Sequence, residues 1–147
     1  MRKLFFFMLF IIINISFLVA QSTDFQNTQF IRLTLTENKN MMEEYEVNHH
    51  ILKNTDALFC SVDFGKKIIT VVMSKDKSPE DIINQLTSLG FSTTGLILKD
   101  YNDEYFLELY KNFRYKSAVD NSDLGKADTR NPEKDQINFL KANEILN

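Results

Sequence analysis

Residues 65–91, GKKIITVVMSKDKSPEDIINQLTSLGF, constrain what this chain can fold into more than any other stretch, because every local signal in them agrees. Residues 68–73 are rich in β-branched side chains and lie between a Gly-Lys-Lys turn and a Lys-Asp-Lys turn, the pattern of a strand. A helix is expected next. Ser78 is placed to cap it, Pro79 suits its first position, and Glu80 and Asp81 put negative charge where the helix dipole favours it. Ile82, Ile83, Leu86 and Leu89 then recur as one apolar stripe, and Gly90 offers a left-handed cap before a further strand starts at Phe91.

The flanking chain extends this plan. Residues 30–36 alternate, with Ile31, Leu33 and Leu35 on one side and Phe30, Arg32, Thr34 and Thr36 on the other. Residues 41–54 are expected to be helical, with Asn40 and Glu43 as a capping pair and Met41 or Met42, Tyr45, His49 and Leu52 along one side. Residues 57–64 alternate again, Leu58, Cys60, Val62 and Phe64 opposing Phe59, Ser61 and Asp63, and the short turn at residues 65–67 makes an antiparallel hairpin with the next strand. With a last strand over residues 91–98, the order is βαββαβ, and the expected fold is α+β. It is a ferredoxin-like sandwich with two helices on one face of a four-stranded antiparallel sheet, spanning residues 30–99. The four glycines, Gly65, Gly90, Gly95 and Gly125, all read as turns or caps.

The segments KKIITVVMS, SPEDII and LGF, taken together, resemble the second half of a heavy-metal-associated domain, the small module of copper chaperones and metal-transporting ATPases. The resemblance runs from about Phe30 to about Leu98. It implies a soft-metal site in the loop after the first strand, where that family carries two cysteines that bind Cu(I) or Zn(II). Here the corresponding residues are TENKNMMEEY, without cysteine. Thioethers are soft ligands, so Met41 and Met42 are the candidate metal residues, with His49 and His50 as possible imidazoles. A single site using all four is excluded by geometry, since seven or eight helical residues span ~11 Å. Packing is the ordinary role of methionine, a solvated helix face that of Glu43, Glu44 and Glu46, and core burial that of Cys60.

Two helices cover one face of such a sheet, and alternation leaves Phe30, Arg32, Phe59, Ser61, Ile68, Thr70 and Val72 on the other. Phe30, Phe59, Ile68 and Val72 form an apolar patch that needs a cover: another segment, a second copy or a partner. Residues 100–118 supply one candidate, an amphipathic extension with Tyr105, Phe106, Leu109, Tyr110 and Phe113 at helical spacing. Residues 119–147 read as a polar tail, with a short helix starting near Pro132 and carrying Ile137, Phe139, Leu140 and Ile145.

Residues 1–20 read as an export signal: Arg2 and Lys3, an apolar run over residues 4–19, then Ala20 before a polar lead-in over residues 21–29. The chain is therefore expected to be periplasmic or secreted; the alternative is an uncleaved membrane anchor. A formal net charge of −3 gives no electrostatic footprint for nucleic acid. There is no phosphate-cradling glycine loop, no HExxH and no nucleophile elbow. The expected function is thus a non-enzymatic exported binding module that recognises a protein partner or another copy of itself and needs no cofactor. The alternative is a carrier of a copper or zinc ion held by Met41 and Met42.

Overall fold

The computed structural model describes residues 25–38, 42–113 and 124–147. Strand β1 (Thr28–Asn38) is followed by helix α1 (Glu44–Asn54), strands β2 (Phe59–Asp63) and β3 (Ile68–Ser74), helix α2 (Glu80–Ser88), strand β4 (Phe91–Asp100), and helices α3 (Asp103–Phe113) and α4 (Pro132–Leu146). The strands form one four-stranded sheet in the order β2-β3-β1-β4, and every neighbouring pair is antiparallel. This is an α+β architecture. The segment expected to be an export signal, residues 21–24 of the expected lead-in 21–29, residues 39–41 with Met41, and residues 114–123 lie outside the described residues.

The alternation of the strands decides where each helix goes. Ile31, Leu33 and Leu35 of β1, Cys60 and Val62 of β2, and Ile69, Val71 and Met73 of β3 point to one face and are buried there by Val47, Ile51 and Leu52 of α1 and by Ile82 and Leu86 of α2. Helix α2 starts at Glu80, one residue later than expected, with Pro79 at its N-cap; Ser78 Oγ accepts from the Glu80 N–H at 3.2 Å, and Glu80 and Asp81 occupy the first turn. Phe30, Phe59 and Val72 point to the opposite face and enter a second core with Phe106, Tyr110, Leu124, Ala127 and Ala142. The sheet is therefore the middle of three layers.

Three expectations are corrected. Helix α1 starts at Glu44 rather than near Met41, and Glu43, at its N-cap, makes no side-chain capping bond. Its buried residues are Val47, Asn48, Ile51 and Leu52, while Tyr45 and His49 are only half-buried, because the i,i+4 pair Val47 and Ile51 outcompetes the more polar stripe for the core. Residues 124–147 are packed rather than trailing as a polar tail, and the helix expected near Pro132 starts there but is long. Leu124, Ala127 and Thr129 are buried, and the fifteen residues of α4 dock through Asp135, Asn138 and Ala142, leaving Leu140 at 54% exposure.

The docking of α4 is polar because its partners are backbone groups. Lys134 Nζ donates to the carbonyls of Leu52 at 2.6 Å and Thr55 at 3.1 Å, which closes the C-terminal end of α1. Asn138 Nδ2 donates to Leu58 O at 2.8 Å. Asp135 accepts from Thr129 Oγ1 at 2.6 Å and from the Thr129 N–H at 3.0 Å, and Asn131 caps the helix by accepting from the Lys134 N–H at 3.2 Å.

The third correction concerns Gly95, which is neither a turn nor a cap. It lies within β4, where Arg32 pairs with Ile97 and Thr34 with Thr94, so Gly95 and Leu96 together oppose Leu33 in a β-bulge. Gly95 has φ +64°, and a Cβ there would come within 3.3 Å of Thr34 Oγ1. Gly95→Ala is expected to destabilise the fold by about 1–2 kcal/mol in urea unfolding, the cost of holding a side-chain-bearing residue in the left-handed region. An unchanged midpoint would show that the bulge is not held in this form.

Candidate functional site

The residues that alternation sends to the second face lie in rows across the sheet. One row is Phe30, Val72 and Phe59; the next is Arg32, Thr70 and Ser61; the next is Thr34, Ile68 and Asp63. The first row is sealed by α3. Phe59 meets Phe106 edge to face with centroids 5.4 Å apart and Phe113 at 5.4 Å, and Phe30 meets Tyr105 at 4.8 Å.

Of the five sheet-face residues singled out from the sequence, Phe30, Phe59 and Val72 are thus buried under the C-terminal helices. Arg32 and Ile68 are half-buried instead, on the floor of a groove of about 430 Å³ between the second and third rows and the overhanging helix. Its floor also contains Ser61, Asp63 and Thr70; its wall is Tyr105, Glu108, Leu109 and Asn112 of α3, and Lys66 of the hairpin turn stands at one end. Tyr105 and Leu109 belong to the amphipathic extension that the sequence offers as a cover for this face, and the Phe59–Phe106 and Phe59–Phe113 contacts place α3 on it.

The charges of the groove are unequally committed. Asp63 accepts from the Lys66 N–H at 2.8 Å and pairs with its ammonium at 3.0 Å. The Lys66 backbone and side chain hold the Asp63 carboxyl below the usual carboxylate range, and Asp63 raises the Lys66 ammonium in return. Glu108, the other carboxylate of the groove, also favours the Lys66 ammonium, and Arg32 opposes it. Arg32, by contrast, has no hydrogen-bond or ion-pair partner among the described residues.

No protein-family model, curated protein or solved structure matches this chain.

The other candidate positions are used differently. Met41 lies outside the described residues, and Met42 is half-buried against the first core. His49 Nδ1 is 2.8 Å from Thr129 O, and His50 Nε2 is 2.8 Å from Gln85 Oε1, so the two rings are engaged with different elements. Glu44 accepts from the Phe64 N–H at 2.7 Å. Cys60 is fully buried, and burial pushes its thiol far above the ordinary range. Among the described residues no three His, Cys, Asp or Glu side chains converge as a metal ion would require.

Chemically, the groove offers contacts that can orient a bound group. An unpaired guanidinium on its floor matches a carboxylate in a bidentate fork, Ser61 and Thr70 add hydroxyls in the same row, and Ile68, Leu109 and Tyr105 supply apolar contact for a short aliphatic stem.

Proposed function

We propose that this chain is a non-enzymatic, exported binding module on a ferredoxin-like scaffold related to heavy-metal-associated domains, and that it recognises a protein partner by taking a carboxylate of that partner into the groove on Arg32. The scaffold reading is supported by the order βαββαβ and by the sheet order, which from its other edge reads β4-β1-β3-β2. Export is supported by Arg2, Lys3, the apolar run after them and Ala20.

The observation that carries the recognition reading is Arg32, without a partner among the described residues, on the floor of a groove whose volume of about 430 Å³ lies within the usual range for a binding pocket. A half-buried guanidinium without a protein acceptor gains most from an anionic acceptor brought by a ligand.

The test is calorimetric titration of the purified chain with short peptides bearing a glutamate side chain or a free C-terminal carboxylate, each compared with its amide. The carboxylate forms bind and the amides do not, and Arg32→Ala weakens binding by about 10-fold to 100-fold, the worth of a charge-assisted hydrogen bond. Arg32→Lys, which keeps the charge but loses the fork, recovers part of the affinity. Equal binding of acid and amide forms, or binding indifferent to Arg32→Ala, would overturn the reading.

A further inference from the structure

The two edges of the sheet are not alike. Strand β2 is a short edge of five residues, whereas β4 is an edge of ten residues paired, among the described residues, only with β1. Natural proteins blunt a long edge with proline, lysine or a covering element. Strand β4 has no proline and one lysine, Lys99, and every residue from Thr94 to Asp100 is exposed. Leu96, Ile97 and Leu98 stand at 46%, 44% and 51% exposure.

The register fixes which side each occupies. Leu98 pairs with Ile31 and so lies on the face of α1 and α2, while Ile97 pairs with Arg32 and lies on the face of α3 and α4. Large apolar side chains are therefore exposed on both faces of one strand, next to an open backbone edge. A helix laid on either face would leave the other uncovered and the edge unpaired. A β-strand added alongside satisfies all three at once.

From this we infer that a second copy of the chain pairs antiparallel with β4 about a two-fold axis through Ile97, joining two sheets into one. A two-fold axis normal to the sheet keeps each face on its own side, so the register must centre on a residue rather than between two. Centring on Ile97 sets Ile97 opposite its counterpart and each Leu96 opposite a Leu98, and the regular pairing ends there, at the Gly95 bulge. The apolar residues meet only one another. No like charges face across these pairs. Centring on Leu98 would instead put Ile97 against Lys99 and Leu96 against Asp100. The self-complementary register selects a second copy over an unrelated strand.

Sedimentation equilibrium of the purified full chain is expected to give the mass of two chains, and Ile97→Lys the mass of one, with an unchanged far-UV circular dichroism spectrum. Ile97→Cys provides an independent reading, because Cys60 is the chain's one cysteine and is buried. Mild oxidation should join Ile97→Cys chains covalently, and should leave Leu140→Cys, an exposed position on α4, as single chains. A wild-type mass of one chain, a dimer that survives Ile97→Lys, or cross-linking of Leu140→Cys as readily as Ile97→Cys would each overturn the inference. None of these measurements involves a groove ligand, so their failure is separate from a failure of recognition at Arg32.

Discussion

Phe106→Ala is expected to lower the stability of the fold by about 3–5 kcal/mol, the usual cost of deleting a fully buried aromatic ring. Phe106 has no exposed surface, and its ring sits 5.4 Å from Phe25, 5.4 Å from Phe59, 5.9 Å from Tyr101 and 6.1 Å from Tyr110. It therefore links the residues before β1, the sheet, the turn between β4 and α3, and the next turn of that helix. No neighbouring side chain can collapse into the space without giving up one of the other contacts. Urea unfolding followed by circular dichroism measures the effect, and Phe106→Leu, which keeps most of the volume, should lose clearly less. A loss below about 1 kcal/mol for the alanine variant, the range of surface substitutions, would mean that α3 is not held on the sheet by this ring.

Lys134→Met is expected to cost about 2–4 kcal/mol although it keeps the length of the side chain, because the Leu52 and Thr55 carbonyls would each lose a donor in a half-buried place. Burial lowers the Lys134 pKa below 10.5, chiefly by desolvation. The sign of the pH effect follows. Between the lowered folded value and 10.5 the unfolded chain binds more protons, so the stability contributed by Lys134 rises with pH across that window. A neutral amine still has two hydrogens and can keep both bonds, so deprotonation removes the desolvation penalty without opening the contact. The gap between wild type and Lys134→Met, measured by urea midpoints across a pH series, should widen towards pH 10.5. A gap that narrows would show that the charge, rather than the hydrogen bonds, ties α4 to α1.

Much of the arrangement was legible because strand alternation is a local property. Ile31, Leu33, Leu35, Cys60 and Val62 declared one face, and Phe30, Phe59 and Val72 the other, before any long-range contact was known. The start of α2 was legible for the same reason, since Ser78, Pro79, Glu80 and Asp81 act within one turn.

What was not legible depends on partners distant in sequence. Lys134 and Asn138 look like surface residues until the carbonyls of Leu52, Thr55 and Leu58 are seen beneath them, some eighty positions earlier. Leu140, by contrast, looks like a core residue and is exposed. Hydropathy ranks side chains by their preference for water and is blind to a helix that docks by donating to another helix's end. The groove was half legible: Arg32 and Ile68 were placed on the correct face, but which rows α3 would seal and which it would overhang depends on where that helix lands.

The placement of the two cores along the chain sets an order on vectorial synthesis. All the residues of the first core lie between Ile31 and Phe91, whereas the second also needs Leu124, Ala127 and Ala142. A nascent polypeptide can thus complete one side of its sheet while the rings of Phe30, Phe59 and Phe106 still lack the far wall of their enclosure. Until the last turns of α4 leave the ribosome, that aromatic surface is a target for holdase chaperones and a hazard for aggregation.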